Sequence, residues 1–171
     1  MKSSLWHHLD LVARTLWPFT LTVLLLILGI VPLQIPHLAP VSPGFALISV
    51  YYWALHRPTI LPAPAVFLVG VLNDFFGDAP VGVGVLVLLI VYGIIVSQRR
   101  NFLGAPFALV WLGFAAVAAG AAFAAWVISS LLFGTVVDPR PAIFDCLLTV
   151  GLYPAVAHLF ARAQRGLSRR D

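Results

Sequence analysis

Charge is missing from most of this chain's length. Six long apolar stretches run Leu16–Leu33, Leu38–Leu55, Thr59–Phe76, Ala79–Ser97, Phe102–Phe133 and Pro141–Ala161, and none carries Lys or Arg in its middle. The hydrocarbon layer of a bilayer is about 30 Å thick, so a crossing helix needs about 20 apolar residues. In lipid every backbone polar group must be satisfied within the fold, which leaves helices or a closed barrel. The stretches are continuously apolar rather than alternating, and this selects helices over barrel strands. The expected fold is an all-α integral membrane protein with six transmembrane helices. It forms a single domain over residues 1–171, with a cytoplasmic N-terminal segment at 1–15 and a basic cytoplasmic tail at 162–171.

Composition closes the other routes. Only 9% of the residues are charged against 61% hydrophobic, whereas an ordinary soluble domain is about a quarter charged. Too little polar surface exists to cover so large an apolar interior in water, and disordered chains are poor in hydrophobic residues. The single cysteine, Cys146, excludes a disulfide framework and a cysteine metal cluster. Pro-rich sequence, rather than a small-x-small cleavage site, follows the first stretch, so it reads as a span and not a signal peptide.

Two stretches are short. Pro36, Pro40 and Pro43 leave a clean core of Gly44–Leu55 in the second, and Pro62 and Pro64 break the start of the third. A re-entrant hairpin tipped by His56-Arg57-Pro58 is one form. Arg at mid-membrane costs about 2.5–3.5 kcal/mol on insertion scales, so two short or tilted spans with Arg57 in water are preferred. The fifth stretch suits one long tilted helix with an interfacial first turn. Six spans put Lys2, Arg14, Arg57, Arg99, Arg100, Arg162, Arg165, Arg169 and Arg170 on one side and Arg140 alone on the other. The positive-inside rule makes the first side cytoplasmic, and Trp6, Trp17, Tyr51, Tyr52 and Trp53 are expected to form an aromatic belt there.

Among ionisable residues Asp74 stands out. It lies at the outer end of the third stretch, where a carboxylate opposes the helix dipole and sits close to hydrocarbon, which calls for a partner or a route to water. Backbone N–H groups around Gly77–Gly82 are the expected partners. Asp78 before Pro80 reads as a helix-start cap, and Asp145 as a favourable first-turn residue. Asp74 and Asp78 offer too few oxygens for a hard metal, and the five histidines lack ligand spacing. Ser129-Ser130 suit backbone bonding in a helix. A nucleophile elbow, a zinc-protease pair and a phosphate loop are absent from the sequence, so no enzyme and no cofactor is expected. Gly82-Val83-Gly84 lacks the rest of a dinucleotide fingerprint and reads as close helix packing.

Ala116, Gly120 and Ala124 repeat at four-residue spacing, a small-residue face on which helices approach closely. The partner is expected to be another helix of the chain rather than a second protein. The tail Arg162, Arg165, Arg169 and Arg170 fits anionic lipid, whereas nucleic acid is disfavoured for a short basic run next to a span.

The run Tyr52-Trp53-Ala54-Leu55-His56-Arg57-Pro58, followed by Pro62, Phe67, Gly70, Asp74, Gly77, Pro80 and Gly82, resembles the central signature of the rod shape-determining protein MreD family. Arg140-Pro141, then Leu152-Tyr153-Pro154 and Phe160 through Arg165, resembles that family's last helix and basic tail. The resemblance covers roughly residues 45–165, with Asp78 standing where members often carry Gly. It implies a non-enzymatic inner-membrane subunit of the bacterial cell-elongation complex. Such subunits sit with the bitopic scaffold MreC and link the MreB filament to the peptidoglycan synthases RodA and a class B penicillin-binding protein. It also implies a fold similar to the six-helix substrate-binding subunits of energy-coupling-factor vitamin transporters. A small-molecule transport subunit of that type is the alternative function. Transport needs polar, ligand-directed side chains in a cavity, and the sequence offers few beyond Asn73, Asp74 and some hydroxyls.

Overall fold

The computed structural model describes residues 20–27, 44–58, 61–77, 80–102 and 104–168, with side chains as far as Arg162. Among these residues the fold is all-α. The helices are α1 (residues 20–27), α2 (Phe45–His56), α3 (Ala63–Phe76), α4 (Val83–Phe102), α5 (Phe107–Phe133) and α6 (Arg140–Ser168). Three of them, α4, α5 and Arg140–Arg162 of α6, are long and apolar enough to cross a membrane. With 12 and 14 residues, α2 and α3 extend only about 18 and 21 Å at 1.5 Å per residue.

Proline and glycine set the helix ends. Pro62 takes the N-cap of α3 and Pro64 its first turn, where a missing N–H is harmless, so α3 starts later than the expected Thr59. Pro58 stops α2 just past its C-cap Arg57, whose N–H bonds Trp53 O at 2.8 Å. The fourth helix runs on through Arg99 and Arg100 to Phe102, beyond the expected Ser97. A turn through Gly104 at φ 89° and Pro106 then starts α5 at Phe107 rather than Phe102. Gly134, at φ 65°, closes α5 in the left-handed conformation that glycine adopts without penalty. The sixth helix already begins at Arg140, which moves Asp145 from the expected first turn into the second. Of the first two stretches, residues 16–19 and 28–43 lie outside the described residues.

The short helix α2 forms the centre, packed on α3, α4 and α6. Its aromatic residues correct the expected belt. Tyr51, Tyr52 and Trp53 are buried, while Trp6 and Trp17 lie outside the described residues. The Tyr51 ring meets Phe114 edge-on at 5.1 Å and Tyr153 at 5.7 Å, and Tyr153 stacks on Phe114 at 4.3 Å. Trp53 and Phe160 lie 5.3 Å apart. Tyr51 Oη–H also donates to Val110 O at 3.0 Å, so the α2 hydroxyl is satisfied by α5 backbone. Gly113 permits this approach, since a Cβ there would meet Phe102 and the Tyr51 hydroxyl.

These contacts gather the end of α2, the end of α4, the start of α5 and the second half of α6 at one end of the bundle. Arg57, Arg99, Arg100 and Arg162 belong to these segments. Arg140 starts α6 at the opposite end.

Pro154 sits inside α6. It has no N–H for the carbonyl of Val150, four residues back. Trp111 of α5 supplies the donor instead, with Nε1–H bonding Val150 O at 3.0 Å.

Candidate functional site: the Asp74 joint and its cavity

The last turn of α3 and the first turn of α4 meet at Asp74. A helix N-terminus presents N–H groups with no partner inside the helix. The Asp74 carboxylate takes two of the donors at this turn on a single oxygen, from Gly82 N at 2.7 Å and Val85 N at 3.3 Å. Gly82 lies in the range where donors were expected, and Val85 lies beyond it. The carboxylate opposes the dipole of its own helix but complements that of α4. Only 3% of Asp74 is exposed, so the pairing takes place away from solvent.

Glycine makes the approach possible at three points. Gly82 adopts φ 103°, a conformation costly for other residues. A Cβ on Gly84 would run into Asp74 Oδ1, and one on Gly70 would stand 2.7 Å from Val85 Cα. The helices α3 and α4 therefore pack backbone to backbone, with the carboxylate against Gly84. Gly84 and Val85 were not singled out as site residues by sequence reasoning. The glycine pair Gly82-Val83-Gly84 was the available signal, read there as close packing.

Beside the joint lies a cavity of about 200 Å³. Asn73, Asp74, Asp145 and Thr149 bring polar groups to walls otherwise made by alanine, valine, leucine, glycine and Cys146. Thr149, buried in α6, accepts a hydrogen bond from Gly44 N at 2.9 Å, which ties the start of α2 to the cavity rim. Asp74 Oδ1 is buried and has no hydrogen-bond partner among the described residues. Among the described residues no Lys, Arg or His lines the cavity, and no group of three metal-ligating side chains occurs. Thr149 was missed from sequence; an isolated threonine in an apolar helix carries no distinguishing signal.

The remaining signature residues are spread along α2–α4. Gly70, Asp74, Gly77, Pro80 and Gly82 share the joint: Gly77 N bonds Asn73 O at 2.9 Å and Pro80 O accepts from Val83 N at 3.2 Å. Arg57, Pro58 and Pro62 lie at the other end of α3, where Pro58 O accepts from the Tyr92 hydroxyl at 3.3 Å. Phe67 is exposed on the outer face of α3. Tyr153 is in the aromatic core, and Pro154 removes the α6 hydrogen bond described above. Asp78 lies outside the described residues.

The small-residue face needs correction. Gly120 is open, with nothing within 4 Å of a Cβ placed there, and Ala116 is exposed. Ala124 alone of the three touches the core. The inward small residues of α5 are Ala118 and Ala121, so Ala116 and Gly120 do not form the expected contact within the described chain. A small residue faces the core only if its neighbours' bulk is turned outward, and α5 turns Leu109, Leu112 and Phe123 outward. Against known proteins, the chain matches no protein-family model, no curated protein and no solved structure.

Proposed function

We propose that the chain is a non-enzymatic subunit of the bacterial cell-elongation complex, an MreD-type protein of the inner membrane. In this reading it has six spans in a fold like that of the energy-coupling-factor substrate-binding subunits, with both termini cytoplasmic. It binds MreC and, through it or directly, MreB, RodA and a class B penicillin-binding protein, and so regulates cell shape and lateral peptidoglycan synthesis. Its basic tail meets anionic lipid. The observation that carries the reading is the Asp74 joint. Five signature residues build one rigid corner between α3 and α4, and its carboxylate is engaged by backbone rather than held ready for chemistry. A rigid corner suits a subunit whose task is to present surfaces to partners.

The cavity favours a second reading, a small-molecule transport subunit, because it puts polar side chains in an apolar pocket. Co-purification from native membranes separates the two. A single-span partner with a large outer domain is expected, and a paired ATPase in its place overturns the assembly role. Topology is tested by Arg57→Cys in a Cys146→Ser background. Labelling from the cytoplasmic side is expected, and protection from both sides returns the re-entrant hairpin.

A further inference from the structure

A second opening lies between α5 and α6. It is a groove of about 460 Å³, where Ala119, Ala122 and Trp126 of α5 meet Ala142, Cys146 and Leu147 of α6. Among the described residues no charged side chain lines it. Its end nearest Arg140 is braced. Trp126 Nε1–H donates to Val137 O at 2.8 Å, and Val137 N–H donates to Ser130 Oγ at 3.3 Å. These bonds pin the connector along α5 and fix the indole at the mouth of the groove. Pro139 lines the same end, and Asp138 and Arg140 on either side of it are exposed. Asp138 Oδ1 accepts the Arg140 N–H at 3.0 Å, which keeps a carboxylate beside a guanidinium at the rim.

Depth selects the occupant. The Arg140–Arg162 part of α6 rises about 34 Å at 1.5 Å per residue, close to the hydrocarbon thickness of about 30 Å. Arg140 and the mouth of the groove therefore stand at headgroup level. From Pro139 to Leu147 the groove descends about 12 Å, the depth of one leaflet. A partner helix packs along a seam through both leaflets, whereas an acyl chain enters at the headgroup and runs beside the helices over this depth. The rim selects the headgroup, because a guanidinium receives a phosphate and a carboxylate receives an ammonium. We propose that the groove holds an acyl chain of one phosphatidylethanolamine molecule from the leaflet on the Arg140 side. Its phosphate meets Arg140 and its primary ammonium meets Asp138. The inference rests on the membrane placement of α5 and α6 and on neither reading of the function.

The test is native mass spectrometry of the full chain, released from detergent micelles that carry equal amounts of phosphatidylethanolamine, phosphatidylglycerol and phosphatidylcholine. One retained phosphatidylethanolamine per chain is expected, favoured about fivefold over each of the others, the upper contribution of one exposed charge pair. Phosphatidylglycerol lacks the cation, and phosphatidylcholine has a cation without N–H donors. Asp138→Asn should abolish the preference, and Arg140→Gln should lower retention of all three lipids. Ala119→Phe adds bulk at an exposed position on the groove wall and should expel the lipid. Gly120→Leu adds bulk one position along, in open space outside the groove, and should retain it. If Ala119→Phe fails to fold, the two exposed rim variants decide the matter. Absence of a retained lipid, equal retention of the three lipids, an unchanged preference in Asp138→Asn, or a single-span protein held in place of the lipid would each overturn the proposal.

Discussion

Helices α2 and α5 look alike in sequence and live in opposite surroundings. Both are apolar on every face. Yet nine of the 12 residues of α2 are buried, against four of the 27 of α5. In water this contrast would show as a polar stripe on the exposed helix. In a bilayer the stripe is absent, because lipid tails are as apolar as leucine and packing rather than hydrophobicity separates inside from outside. What differs is the use of bulk. The α2 helix turns Tyr51, Tyr52 and Trp53 into the protein. The α5 helix turns Ala118 and Ala121 inward beside Val110 and Phe114, and Leu109, Leu112 and Phe123 toward the surroundings.

Breaking that comparison requires large residues first. Trp53→Ala in α2 should cost about 3–5 kcal/mol, the usual range for emptying a core aromatic site. Phe123→Ala in α5, where the side chain is 65% exposed, should stay within about 0.5 kcal/mol. Reversible unfolding in mixed micelles measures both, and comparable losses would mean that α5 is covered as fully as α2.

The corner beside α2 comes next. Asp74→Leu removes the acceptor of the Gly82 and Val85 donors and should destabilise by about 1.5–3 kcal/mol, with Asp74→Asn milder. Rod shape in a complemented depletion strain, with membrane levels followed in parallel, gives the cellular counterpart. Equal loss of shape in both variants at normal protein levels and normal partner binding would point to an ionisable role for Asp74 instead of a structural one.

A smaller effect separates the two faces of α5 itself. Ala118, 2% exposed, has no room for bulk, and Ala118→Leu should cost about 1–3 kcal/mol by overpacking. Gly120→Leu should leave the isolated chain nearly unchanged. The four-residue repeat taken alone puts Gly120, and not Ala118, on the contact face and so implies the opposite order. If Gly120→Leu nevertheless removes a co-purifying partner from a normally stable chain, the open face of α5 is where that partner packs. A modest loss is expected from Trp111→Phe, which deletes the bond to Val150 O; interhelical hydrogen bonds in membranes average about 0.6 kcal/mol. Melting curves of the variant and parent in the same detergent resolve a shift of that size.

The sequence made plain those parts of the fold that depend on backbone chemistry. Prolines located the start of α3 and the end of α2 to within a few residues, since a missing N–H acts the same way in lipid and in water. Asp74 called for a partner because a carboxylate near hydrocarbon does so in any fold, and Gly82 is one of the donors it finds. What stayed hidden depends on which apolar face meets protein. The Tyr51–Trp53 run was assigned to an interface on aromatic character alone, and the structure uses the same character to fill the core. The cavity stayed hidden for a related reason: Asp74 of α3 comes to the same space as Asp145 and Thr149 of α6 only by the packing of five helices that look equally greasy on all sides.

The hydrogen bond missing from α6 ties two distant positions into one heritable unit. With Pro154 in place, the Val150 carbonyl lacks its helical donor and Trp111 supplies one across the helix pair. A chain that exchanged Pro154 for an ordinary residue would regain the donor within α6 and leave the indole N–H of Trp111 without its acceptor in a region where water is scarce. A chain that lost Trp111 first would strand the carbonyl. Substitutions at 111 and 154 should therefore be tolerated together more readily than apart, and among divergent relatives a helical residue at 154 should travel with a residue at 111 that has no N–H to place.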